Sequence, residues 1–419
     1  MMNRTMRGSA ASIRTPSAGA GPIRAWSGSD TTVKHAHASV GMAPERASPS
    51  LALRVRITQP APISMLCAML AVIVVGCASH KPIAPAPPRP VSFTSADGRV
   101  TATIHGPLRR EPIKPSAQKR LERFLYGPED EPASVLRRPQ GITSAGGFLY
   151  IADQGLPDVL RYDLANRTYT RWIRSGDRPT CPIAAAADDA GRVYVADAAK
   201  RTVLLFDNQG HREPDLSPDP DGSGLFRPGA LLVHGGIVYV ADGNARQVRR
   251  YDFAKHAWLI PIGPGSGDDA LAMPAGLAMT PRGELLVTDA ILGLIHRFDA
   301  DGKPLKPIGE YGAETGQLVR PMGIACTPSG VVLVADAGRE SVMAFDRDGA
   351  FLFEIAGPSG DWNGFIMPTG IAVLPGYESI TNPTDKAENA GGSQPEWAVV
   401  SDTMRGSLTL LSIHRTPPG

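Results

Sequence analysis

Residues 332–346 read Val332-Leu333-Val334-Ala335-Asp336-Ala337-Gly338-Arg339-Glu340-Ser341-Val342-Met343-Ala344-Phe345-Asp346, two apolar runs each closed by an aspartate, the second ten residues after the first. The same pair recurs as Asp153/Asp163, Asp197/Asp207, Asp242/Asp252 and Asp289/Asp299. A sixth copy opens at Trp397-Ala398-Val399-Val400-Ser401-Asp402, with Ser412 in the tenth place. From Asp153 to Asp402 the first aspartates are spaced by 44, 45, 47, 47 and 66 residues. A period of about 40–50 residues belongs to propeller blades rather than helical repeats.

Working outward, each copy is preceded by a proline-led segment: Arg138-Pro139-Gln140-Gly141, Arg178-Pro179-Thr180-Cys181-Pro182, Arg227-Pro228-Gly229-Ala230, Met273-Pro274-Ala275-Gly276, Arg320-Pro321-Met322-Gly323 and Met367-Pro368-Thr369-Gly370. Proline suits the start of a strand, where its missing N–H costs no ladder bond. The tetrads before the aspartates, such as Val193-Tyr194-Val195-Ala196, are apolar on both faces of the pleat, as in sheets covered on both sides. Third strands run into Asp-Gly turns at Asp301-Gly302 and Asp348-Gly349, which are hairpin signals. No helical periodicity follows Pro139, so the expected fold is all-β, a six-bladed β-propeller of four-stranded antiparallel blades. The sixth copy leaves no room for its own fourth strand. We expect the segment 119–127, which has the character of the missing strand, to pair with Leu408-Thr409-Leu410-Leu411 and close the ring, which removes exposed edges.

These residues resemble the NHL-repeat family of propellers. Blade five carries the resemblance best, in Gly312, Gly316-Gln317-Leu318, Arg320-Pro321-Met322-Gly323-Ile324-Ala325, Val334-Ala335-Asp336 and Val342-Met343-Ala344-Phe345-Asp346. The likeness spans about residues 119–415. It implies a six-bladed propeller used chiefly for binding, with a few lyases and hydrolases among its relatives. The chain departs from the family where many members carry Asn and Arg before the third strand. Here Asp158, Thr202, Gln247, Leu294 and Ser341 stand there, with arginine displaced to Arg201 and Arg246.

The 419 residues carry 42% apolar side chains and a net charge of +2, ordinary values for a globular chain. Near-neutral charge argues against a nucleic-acid partner, which needs a concentrated basic face. Residues 65–77, Met65-Leu66-Cys67-Ala68-Met69-Leu70-Ala71-Val72-Ile73-Val74-Val75-Gly76-Cys77, have the length of a signal-peptide core, with Arg54 and Arg56 upstream. Val74-Val75-Gly76-Cys77 resembles a bacterial lipobox, which implies lipidation of Cys77 and anchoring to a membrane; multiple acyl chains anchor stably. Four segments are expected: a disordered or untranslated leader at 1–53, with the true start near Val55; a lipoprotein signal at 54–77; a Pro-rich tether with a short extension at 78–118; and the propeller at 119–419. Within the extension, Asp97-Gly98 is read as the turn of a hairpin between Val91-Ser92-Phe93 and Val100-Thr101-Ala102-Thr103-Ile104. Cys181 and Cys326 fall in blades on opposite sides of the ring, too far apart to bridge, and are expected as buried free thiols.

Two recurrent sets are candidate sites. Arg138, Arg178, Arg227 and Arg320 precede the first strands of four blades and form an arc able to hold a carboxylate or phosphate. The structural reading, in which each braces an aspartate, fits their recurrence better, because repeats copy scaffolding. Asp153, Asp197, Asp242, Asp289, Asp336 and Asp402 read first as caps for backbone N–H groups, and only second as a calcium site, which needs converging oxygens. His211, His234, His256, His296 and His414 share no repeat position, so they do not build the three-histidine zinc site of a lyase. No catalytic residue, metal site or cofactor is assigned. Insertions at 211–226 and 377–396 break the repeat and are the places to look for specificity.

The reading that results is an envelope-anchored lipoprotein on the outer-membrane or periplasmic side, whose propeller recognises a protein, peptide or glycan. The alternative is a propeller enzyme of lactonase, hydrolase or lyase type with a metal in the central channel.

Overall fold

The computed structural model describes residues 90–108, 135–174, 178–216, 227–263, 270–355, 364–377 and 394–416. The leader, signal, Cys77, segment 119–127 and most of both insertions lie outside them. Every named element among the described residues is a strand, and the strands form six antiparallel sheets. Blade one is β3 (Pro139–Ala145), β4 (Phe148–Asp153), β5 (Asp158–Asp163) and β6 (Thr168–Arg171). Blade two is β7 (Pro182–Ala187), β8 (Val193–Asp197), β9 (Thr202–Phe206) and the two-residue β10 (Arg212–Glu213). Blade three runs from β11 (Pro228–His234) through β12 (Ile237–Asp242) and β13 (Gln247–Asp252) to β14 (Ala257–Ile262). Blade four comprises β15 (Pro274–Met279), β16 (Leu285–Asp289), β17 (Leu294–Phe298) and β18 (Pro304–Ile308). Blade five comprises β19 (Pro321–Cys326), β20 (Val332–Asp336), β21 (Ser341–Phe345) and β22 (Phe351–Ile355).

Blade six is composite. Its own β23 (Pro368–Val373), β24 (Glu396–Asp402) and β25 (Ser407–Arg415) are completed from the N-terminal side by β2 (Val100–Pro107), with β1 (Val91–Thr94) as a fifth strand. The expectation that an N-terminal strand closes the ring therefore holds; the strand paired with β25 is β2, and the segment 119–127 lies outside the described residues. The outer edge of β25 is taken: Val100 pairs with Arg415 and Pro107 with Thr409, and the Leu108 N–H continues the ladder to the Leu408 carbonyl at 2.8 Å. The propeller thus begins at Val91, not at 119, and the hairpin turning at Asp97-Gly98 belongs to it. β2 fits because its alternation is right. Val100, Ala102 and Ile104 bury their side chains beside Phe353 and Ile355 of blade five, while the opposite face is half-covered.

The first strand of each blade lies nearest the axis, and the six pack in a ring in which β23 meets β3. Six hydrophobic clusters fill the seams, each joining two neighbouring blades. This explains tetrads that are apolar on both faces: in β20, Leu333 packs toward blade six while Val334 packs toward blade four. Each such fully buried side chain contributes about 1.5–3 kcal/mol. The glycine of the Pro-x-Gly motif follows from the same crowding. A Cβ on Gly323 would come within 2.6 Å of the Thr369 carbonyl on the next inner strand, so only glycine allows that approach.

Candidate functional site

The repeat aspartates Asp153, Asp197, Asp242, Asp289, Asp336 and Asp402 sit at the ends of second strands and are completely buried. Each carboxylate accepts N–H bonds from both sides of one mouth of the ring. Asp153 takes the Arg137 and Arg138 N–H groups at 2.7 and 2.9 Å, just before the inner strand, and those of Gly155 and Leu156 at 2.9 and 3.1 Å in the loop after β4. Asp336 does the same with Val319, Arg320, Gly338 and Arg339, at 2.8 to 3.1 Å. The six are therefore staples that tie the entering loop of each blade to its second turn. Such N–H bonds favour the charged form. At Asp289 burial pushes the carboxyl up, yet His296 and the N–H groups of Leu292, Ala272 and Ile291 outweigh it and hold the pKa down at about 2. Among the described residues no cluster of three His, Cys, Asp or Glu is placed to hold a metal ion.

These bonds also fix the register of the arginines, and one differs from expectation. The residue whose N–H reaches the nearer carboxylate oxygen just before the strand proline is Arg138, Cys181, Arg227, Met273, Arg320 or Met367 in blades one to six. Blade two carries two prolines, and the second, Pro182, is the one that pairs with Asp197. Arg178 therefore lies three residues outside the equivalent position. Its guanidinium makes an ion pair with the buried Asp158 of blade one, whose carboxyl is pushed up by burial against the pull of Arg178 and Arg171. The four-arginine arc is in fact three arginines on alternate blades, with a sulfur-bearing residue on each blade between. Arg138, Arg227 and Arg320 are exposed. Arg138 and Arg320 lay their Cβ atoms over Gly155 and Gly338, which stand two residues after the aspartates of blades one and five.

The loops entering the inner strands and those after each second strand share this face. On it, Ile291, Tyr311, Ile366 and Met404 expose 60%, 66%, 44% and 63% of their surface. Sequence reasoning missed this apolar set. Its signal was Ile291-Leu292 and Met404 standing where other blades carry small or polar residues. Arg201 and Arg246 prove to be turn residues with φ near 56°, the left-handed place that Gly293 and Gly406 fill in other blades.

The histidines stay apart. His296 Nε2 lies 3.5 Å from Asp289, His211 Nδ1 3.1 Å from Asp207 in an outer turn, and His414 beside Ser412 in β25. Cys181 and Cys326 are free, and both are half-buried rather than fully buried. Cys181 Sγ accepts a bond from the Gln154 side chain at 3.1 Å, and burial pushes the Cys326 thiol up to about 12.

No family model matches the chain, and no curated protein matches it. Solved structures similar to it include the calcium-binding protein regucalcin from Agrobacterium tumefaciens strain C58, at 14% identity over 68% of this chain and 92% of that one, with a TM-score of 0.49. A putative gluconolactonase aligns at 13% identity over 68% and 92%, with a TM-score of 0.49. A streptogramin B lyase aligns at 12% identity over 66% and 94%, with a TM-score of 0.47. With TM-scores below 0.5 these likenesses carry no argument, and the blade count rests on the strand pairing itself.

Proposed function

We propose that the chain is an NHL-type propeller, anchored in a bacterial envelope through a lipidated Cys77, that recognises a protein or peptide segment on the arginine-bearing face. The observation that supports this is the composition of that face. Three exposed guanidinium groups, Arg138, Arg227 and Arg320, surround the mouth of the ring, and exposed Ile291, Tyr311, Ile366 and Met404 lie on the same side. The six carboxylates that could have offset the positive charge are buried and occupied by backbone N–H groups. Such a surface suits a segment in which carboxylates are flanked by apolar side chains. The guanidinium groups take the carboxylates bidentately and the apolar groups add desolvation.

The test is crosslinking of the native chain in membranes, followed by the same experiment on a triple Arg138→Ala, Arg227→Ala, Arg320→Ala variant. A partner captured by the native chain and lost by the variant, with an unchanged melting curve, supports the reading. Equal capture by both removes it. Stoichiometric calcium or zinc in the purified chain would replace it with the channel-enzyme alternative. Anchoring is tested separately: Cys77→Ser should release the protein from membranes.

A further inference from the structure

We propose that the cleft between blades one and two, away from the ring mouth, binds a small organic oxyanion carrying at least two negative charges. The cleft has a volume of about 460 Å³, within the size range of small-molecule sites. Its lining includes Arg161, Arg171, Arg174, His211, Gln209 and Trp172 and, among the described residues, no carboxylate.

The cleft exists because the repeat is broken there. In the seams after blades three and four, an isoleucine plugs the space beneath the glycine of the next outer turn: Ile262 lies under Gly302 and Ile308 under Gly349. After blade one it is the Trp172 main-chain carbonyl that stands closest under Gly210, with the indole ring 3.5 Å from where a Cβ would stand. Trp172 is 3% exposed, and its indole N–H has no acceptor among the described residues. That N–H is itself shut off from solvent, so the polar groups available in the cleft are those of the arginines, Gln209 and His211.

The arginines diverge in the same way. Arg161 stands third after the first residue of its strand, as do Arg250 and Arg297. Arg250 donates to the Ile260 carbonyl at 2.8 Å and Arg297 to Glu284 at 2.7 Å. Arg161 instead lies over the Phe148 ring, 4.4 Å from its centroid, lines the cleft, and interacts with the Tyr150 hydroxyl and the Asp163 carboxylate. Arg174 is exposed, while its backbone N–H is fixed by the Gly210 carbonyl at 3.0 Å, so its guanidinium hangs from an ordered anchor. Arg171 is shared only loosely with Asp158, at 3.8 Å, and His211 is held by Asp207 at 3.1 Å. Two planar forks lining one cavity, Arg161 and Arg174, suit a phosphate or carboxylate group, and a second anionic group would reach Arg171.

Calorimetric titration of the purified chain with pyrophosphate, citrate and glucose 6-phosphate tests this, at low salt and at physiological salt. One saturable equivalent is expected for at least one probe, weaker at higher salt. Pyrophosphate against citrate separates phosphate from carboxylate recognition. Arg174→Ala should weaken binding about tenfold or more, and Arg161→Ala likewise. Binding that is lost in Arg138→Ala, at the ring mouth, and kept in Arg174→Ala would place the probe on the recognition face and overturn the proposal. If Arg161→Ala lowers the melting temperature, Arg174→Ala decides alone. No saturable binding at millimolar probe, or binding indifferent to Arg174→Ala, overturns the proposal.

Discussion

Blade five is cut from one continuous stretch, whereas blade six is assembled from the two ends of the domain. Their seams differ accordingly. In blade five the residues flanking the staple aspartate are Ala335 and Ala337, and they pack against neighbours without side-chain hydrogen bonds. In blade six the same places hold Ser401 and Thr403. The Ser401 hydroxyl donates to the Gln140 carbonyl and the Thr403 hydroxyl to the Pro139 carbonyl, each at 2.6 Å, and Thr369 joins Thr403 at 2.6 Å. A buried hydroxyl network therefore links the inner strands of blades six and one, beside the chain that runs from β2 of blade six to β3 of blade one. Among the described residues the seam between blades four and five has one bond of this kind, from the Thr288 hydroxyl to the Met322 carbonyl at 2.5 Å, whereas the seam between blades six and one has several.

Four measurements break or sharpen that contrast. The largest effect is expected at the staples, which both blades share. Asp336→Ala and Asp402→Ala each leave several buried N–H groups without an acceptor, and each should cost about 3–5 kcal/mol in urea unfolding. Unequal losses would mean that the two blades are not held alike. Next comes the borrowed strand. Ile104 is 2% exposed and Ile355 fully buried, one on β2 and the other on β22. Ile104→Ala and Ile355→Ala should both cost about 2–4 kcal/mol, and a near-zero value for Ile104→Ala would dissolve the composite blade.

Asp289 gives a smaller, pH-dependent effect. Its folded pKa of about 2 lies below the ordinary 3.8, so its stabilisation is complete above about pH 4 and is lost as pH falls toward 2. Asp289→Asn should then destabilise by about 2 kcal/mol at neutral pH and converge with the native chain in acid. The smallest effect is at the seam: Ser401→Ala should cost about 1–2 kcal/mol. No loss there would show that apolar packing alone closes the ring.

The blades were legible because each repeats a short pattern whose physical causes coincide, with proline before the strand, glycine at the close approach and aspartate at the staple. Closure was harder to read. Both residues 100–107 and 119–127 are apolar enough to serve, and local pattern cannot rank two segments that compete for one distant edge. The hairpin at Asp97-Gly98 was visible, yet its membership in the propeller was not, because it lacks the repeat's aspartate. The arginine ring misled through a doubled proline, since Pro179 and Pro182 both offer a plausible strand start and only Asp197 distinguishes them. The blade-one cleft was invisible, because a tryptophan in place of an isoleucine looks like ordinary core until its neighbours are known.

The pairing of β2 with β25 also fixes a timetable. Val100 must wait for Arg415, its partner. At typical synthesis rates of about 5–20 residues per second, the roughly 300 intervening residues take about 15–60 seconds to appear. Throughout that interval β2 can hold only β1, and its other edge stands open to any strand it meets. Blades one to five can condense as they emerge, but the ring cannot lock until nearly the last residue is delivered. The newborn chain is therefore most open to misassembly at β2 until Arg415 arrives.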